Sequence, residues 1–173
     1  MSKNIGWVLL LIWGGGILAA LLLYSQRQLT EFDPNGLLLQ QSMSPSFDRQ
    51  LTEILKQLDV PAASLVHVGT SQHCYCESLT APHQTQLAKY LENDAYTLTN
   101  IDIEEAAPLR TVLSQVPALI VVDEHYQLRY IGPYATGYGC FTGKNLVQQI
   151  VGYTQTLPYH GAVINADAVG CFC

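Results

Sequence analysis

At 173 residues, 49% of them apolar and with a formal net charge of −6, the chain has material for one cored domain and an appendage. Its acidic balance leaves no basic face, so nucleic acid is not an expected partner. No Gly-rich phosphate loop, Ser/His/Asp arrangement or dinucleotide fingerprint occurs, and no cofactor is expected.

The chain opens on Ile5 to Leu23 (IGWVLLLIWGGGILAALLL), nineteen residues without a charge. At about 1.5 Å per residue, a helix of this length spans roughly 30 Å of hydrocarbon. Trp7 and Tyr24 sit near its ends, where amphipathic aromatics favour the membrane interface. A secretory signal would have a shorter apolar region and a small-residue cleavage site. Residues 1–24 therefore read as an uncleaved transmembrane anchor. Lys3 and Arg27 nearly balance across it, but five cysteines fit an oxidising compartment. The expectation is a single pass through the cytoplasmic (inner) membrane, with the domain facing the periplasm.

Residues 25–45 carry turn formers and no sustained period, and read as a linker before a domain over 46–173. Ser44 and Pro45 suit the start of a helix whose apolar face is Phe47, Leu51, Ile54, Leu55 and Leu58. Residues 63–70 (ASLVHVGT) form a short buried strand, and the segment SQHCYCESLTAP follows at once. A helix is expected over 78–91, a strand over 96–103, and a helix over 104–115 with Asp102, Glu104 and Glu105 at its solvated start. Residues 116–123 (VPALIVVD) are the clearest strand, and 127–131 its hairpin partner. A loop, GPYATGYGCFTG, leads to a helix over 145–157; the last sixteen residues show no helical period. A βαβ unit, a hairpin and a closing helix give an α/β fold, a central mixed sheet flanked by helices.

This order resembles the thioredoxin fold over roughly residues 60–157. A cysteine motif sits between the first core strand and the next helix, and Val116-Pro117 opens the third core strand, where thioredoxin-like proteins place a cis-proline. Cys74 to Pro82 is also the interval from the first cysteine of CxxC to the helix proline in thioredoxins. On that register Cys74 takes the nucleophile's place and Glu77 the resolving cysteine's, with Cys76 one residue early. His73 replaces the usual tryptophan, and the strand holds no buried acid. The layout, anchor included, is similar to an uncharacterised family of membrane-anchored bacterial thioredoxin-like proteins. The resemblance implies that Pro117 shapes a substrate groove and that the loop bearing Cys140 lies near Cys74. The chain after the last helix is long enough to bring Cys171 and Cys173 back to that end.

Three readings of the cysteines stand. In the first, Cys74 and Cys76 exchange disulfides with protein thiols. A helix N-terminus stabilises thiolates, His73 can polarise Cys74, and Cys140, Cys171 and Cys173 are candidate redox partners. Cys74 would attack and Cys76 resolve, closing a small ring, while the Glu77 carboxylate disfavours a Cys76 thiolate. In the second, Cys74, Cys76, Cys171 and Cys173 are thiolate ligands of a metal, copper above all, with His73 or Cys140 able to substitute for one. In the third, disulfides only staple a non-catalytic interaction module; Cys171 and Cys173 can pair with each other or with Cys140. An odd cysteine count leaves one thiol free or joined to another chain. His67 reads as a packed strand residue, His83, His125 and His160 as surface or loop, and Tyr126, Tyr130, Tyr134 and Tyr138 as packing groups.

Overall fold

A computed structural model describes residues 3–27, 29–72, 74–137, 143–155 and 158–173. Helix α1 (Lys3–Arg27) contains the apolar run, and its stretch Ile5–Tyr24 is long and apolar enough to cross a membrane and is exposed along its length. Strand β1 (Thr30–Glu31) and the short helix α2 (Leu37–Ser42) follow, then α3 (Phe47–Gln57), capped at Ser46 rather than at Ser44. Phe47, Leu51 and Leu55 of α3 recur at helical spacing and are buried.

The main sheet has five strands in the order β3-β2-β4-β5-β6. These are β2 (Ser64–Gly69), β3 (Thr97–Asp102), β4 (Ala118–Val122), β5 (Leu128–Gly132) and β6 (Val163–Ile164). Strand β2 runs parallel to β3 and antiparallel to β4; β4 and β5 are antiparallel, and β5 and β6 parallel. Every residue of β2, β4 and β5 is buried, as their unbroken apolar runs require of strands covered on both faces. Alternation divides them. Val66, Val68, Ile120 and Val122 face a core shared with α3, whereas Leu65, Leu119, Val121 and Tyr130 face α4 (Tyr75–Leu91) and α5 (Val147–Gln155). His67 shares the parity of Leu65, which turns its ring toward α4.

Three sequence expectations change. Residues 104–115 do not form a helix; a single 3₁₀ turn, Leu109–Thr111, lies within successive tight turns. Pro108 has no N–H to donate and its ring crowds the carbonyl four residues back, which disfavours an α-helix across it, and the chain takes tight turns instead. The buried side chains of Ala106, Leu109, Val112 and Leu113 imitate helical spacing without one. The supposed linker is also part of the fold, because Phe32 and Leu38 are 1% exposed in the α3-side core. Finally, the tail supplies β6 and a seventh strand, β7 (Val169–Gly170), which pairs with β1 in a second, two-stranded sheet. Phe32 N–H donates to Ala168 O at 2.8 Å, and the rings of Phe32 and Phe172 meet edge to face at 5.1 Å.

A candidate thiol site at one end of the sheet

Strands β2 and β4 are antiparallel with Val68 opposite Ala118, so the end of β2 and the start of β4 share one end of the sheet. Strand β5 finishes there too, with Gly132 opposite Leu119. The Val116–Pro117 peptide is cis and leads into β4. Helix α4 begins at Tyr75, three residues earlier than its apolar period suggests, with Cys74 as its N-cap. Cys74 has extended backbone (φ −115°, ψ 107°), whereas Cys76 is in the first helical turn. Side chains two apart on a helix diverge; the backbone break at Cys74 lets these two converge.

The two cysteines do not bond to each other. Cys74 is joined to Cys173 and Cys76 to Cys171, so the CYC and CFC segments are stitched together by two nested bridges. This replaces the Cys74–Cys76 ring of the exchange reading, and of the alternatives left open for Cys171 and Cys173 it takes their return to the helix cysteines rather than a bridge to each other. Geometry explains the outcome. Cys173 lies beside the residue before the cis-proline, its N–H donating to Val116 O at 2.7 Å and its O accepting from Val116 N–H at 3.3 Å. Cys171 N–H donates to Gly137 O at 3.1 Å. The tail thus runs strand-like across the end of the sheet, directly over the start of α4. Three sulfurs, those of Cys74, Cys76 and Cys173, lie within 4.8 Å of one another.

The bridges have different surroundings. Cys173 is exposed and Cys74 half-buried, and both line an open groove of about 400 Å³ with Gln72, Arg110, Ser114 and Val116. Arg110 is held there by Ile103 O at 2.9 Å and by the Glu104 carboxylate. Cys76 is buried, and with Cys171 it lines a small, tight pocket against Pro117, Tyr134 and His83. Tyr75, between the two helix cysteines, is 72% exposed, whereas Phe172, between the tail cysteines, is 8% exposed. One segment therefore shows an aromatic to solvent and the other is anchored by one.

Beneath the site lies a polar chain. His67 Nε2–H donates to Glu77 Oε2 at 3.0 Å, and Nδ1 accepts from Gln84 Nε2 at 2.7 Å with the Tyr134 hydroxyl at 3.3 Å. Glu77 Oε1 also accepts from Thr70 N–H at 3.1 Å, so the acid read as facing Cys76 is turned back to the end of β2. Gly69 permits this: a Cβ there would lie 2.6 Å from Glu77 Oε1 and 2.7 Å from His67 Nε2. Asp102, expected to start a helix, instead accepts from Ser71 N–H at 3.0 Å and Glu104 N–H at 2.9 Å. Hydrogen bonds from Ser71 and from Glu104 N–H hold its carboxyl below the usual range. Burial pushes the Tyr134 hydroxyl far up and lowers the affinity of His83 for a proton.

His67 is buried as expected, but its bond to Glu77 was missed; its parity with Leu65 in the strand was the available signal. His83, read as a surface residue, is buried on the face of α4 that also carries Cys76. Tyr130 and Tyr134 pack in the core, as expected. His73, Cys140 and Tyr138 lie outside the described residues. A family model covers residues 43–173, the whole of this site included. The chain belongs to the family described as a domain of unknown function, DUF6436. No curated protein and no solved structure matches it. The paired CYC and CFC segments, the cis-proline and the groove of this DUF6436 domain therefore carry its functional reading by themselves.

Proposed function

We propose that this DUF6436 chain is a thioredoxin-like protein, anchored by α1 in the cytoplasmic membrane, whose domain exchanges disulfides with protein thiols in the periplasm. The observation that carries the reading is the Cys74–Cys173 bridge, open on one side to the groove beside Val116 and the cis-proline. The strand order and the place of the cysteines at the start of α4 support the fold assignment. The apolar helix supports the anchor, and the two disulfides support an oxidising compartment.

A substrate thiolate attacks the sulfur of the exposed Cys173, forms a mixed disulfide with it and expels the Cys74 thiolate. Cys74 is the better leaving group because it sits at the N-terminus of a seventeen-residue helix, where unpaired N–H groups stabilise negative charge. A second substrate thiol then displaces Cys173. The substrate dithiol becomes a disulfide, Cys74 and Cys173 become thiols, and two electrons have moved. The Cys74 thiolate next attacks Cys76, whose sulfur lies within 4.8 Å, forming a Cys74–Cys76 disulfide and freeing Cys171. The small ring expected from the sequence is thus a reaction intermediate, and the same steps reversed reduce a substrate disulfide.

The test uses the full chain in detergent with a peptide carrying two cysteines. The expected result is stoichiometric peptide oxidation, accompanied by a mixed disulfide at Cys173 that accumulates when the peptide has a single cysteine. C74S abolishes the reaction; C171S leaves the first turnover intact. A chain whose bridges remain closed to the peptide, with no adduct at any cysteine, contradicts the proposal.

A further inference from the structure

The nested pairing has a second chemical consequence, separate from exchange. It gathers cysteines from two distant segments at one point, and those sulfurs stay neighbours after the bridges open. Two equivalents of an external phosphine supply four electrons, becoming phosphine oxide, and two waters supply the oxygen and the four protons, so that the two disulfides become four thiols. Cys74, Cys76 and Cys173 then offer three sulfurs that lie within 4.8 Å of one another in the bridged state. Around a tetrahedral Zn²⁺ with bonds near 2.3 Å, sulfurs sit about 3.8 Å apart. Reaching that spacing takes separation of the formerly bonded Cys74 and Cys173 sulfurs and approach of Cys76, each on the order of 1 to 2 Å and within the reach of side-chain rotation. Cys171, bonded to Cys76 in the closed form, is the available fourth sulfur.

We infer that the reduced site is a thiolate trap for a thiophilic d¹⁰ cation, Zn²⁺ or Cu(I), held by Cys74, Cys76 and Cys173 with Cys171 completing a four-sulfur set. Two features favour it over four loose thiols. Cys74 and Cys76 flank the N-terminus of α4, which favours the deprotonated ligands. The tail keeps backbone bonds to Val116 and Gly137 that do not depend on the bridges, so Cys173 and Cys171 remain near the helix cysteines. Metal binding releases the thiol protons to solvent and blocks re-formation of both disulfides. Oxidation state thereby decides whether the site holds a bond or an ion. The two cations differ in demand: three sulfurs satisfy trigonal Cu(I), whereas structural zinc takes four ligands.

The full chain in detergent, reduced with a phosphine and freed of it without air, is titrated with Zn²⁺ in one arm and Cu(I) in the other against a chromophoric chelator. One equivalent is expected to bind to the reduced chain and none to the oxidised chain. C74S, C76S and C173S each weaken binding in both arms by at least about tenfold, and C171S weakens the zinc arm while sparing copper. Cadmium on the unmutated reduced chain gives thiolate charge-transfer absorbance, a readout independent of whether a variant folds. Equal binding by oxidised and reduced chain overturns the inference, as does undiminished affinity in a denaturant that unfolds the domain. Because reduction is chemical, a chain that binds no metal but oxidises peptides leaves the exchange proposal standing.

Discussion

At the scale of single residues, the site is defined by side chains whose environment, not identity, decides their role. Glu77 next to Cys76 looks like a group that opposes a thiolate, yet its carboxylate is held by His67 and Thr70, and Gly69 leaves the room. His83 has the sharper consequence. Buried beside Cys76 and Cys171, it takes up a proton less readily than the ordinary value of 6.5. In the unfolded chain it charges near 6.5, so below that pH the unfolded state binds more protons. Its contribution to stability is therefore complete above about 6.5 and is lost as pH falls through that value toward the folded pKa, with a slope of at most about 1.4 kcal/mol per pH unit. Thermal melts of the full chain should show a falling midpoint on acidification in that window, and H83Q should flatten the curve. Parallel curves for the two proteins would contradict the assignment.

At the scale of elements, what was legible in the sequence was what repeats. Runs such as ALIVV, and the period of Phe47, Leu51 and Leu55, announce β4 and α3 because a long apolar pattern has few alternatives. Two-residue strands have no period to read. Thr30–Glu31 pairs with Val169–Gly170 at the far end of the chain, and only the three-dimensional meeting makes either a strand. The same holds for the bridges, since connectivity among cysteines does not follow from spacing. The cis-proline was legible as a local signature, and the failed helix over 104–115 was a warning that Pro108 outweighs a matching apolar pattern. Among the described residues β1 pairs only with β7, and Phe172 packs on Phe32 just beyond β1. The tail thus fastens the segment that follows the apolar helix α1. Phe172→Ala should cost about 3 kcal/mol by emptying that contact. Hydrogen exchange of the full chain should then show faster exchange over residues 30–38 as well as over the tail. Unchanged protection at 30–38 would show that β1 holds without β7.

At the scale of the whole molecule, the two bridges are nested, spanning 99 and 95 residues. In the chain-entropy account, the first to form closes a loop worth about 4.7 kcal/mol, and the second then closes a ring of a few residues worth about 2 kcal/mol. Either bridge alone keeps the long loop closed. Removing one pair, as C74S/C173S or C76S/C171S, should therefore cost about 2 kcal/mol, whereas removing all four sulfurs should cost about 6 to 7 kcal/mol. Urea unfolding of the three variants checks this. Two pairs whose separate costs add up to the whole would mean that the bridges stabilise independently. Redundancy of this kind suits an exchange site, because opening one bridge leaves the fold nearly intact.

The central claim, that the exposed bridge is the reactive one, is tested most directly by the order in which the bridges open. The full chain is incubated with limiting reduced glutathione, alkylated at intervals and mapped by mass spectrometry. The account predicts that Cys74 and Cys173 become alkylated first, with glutathione caught on Cys173, while Cys76–Cys171 is still closed. Opening of Cys76–Cys171 first, or loss of both bridges only together with unfolding, would contradict it.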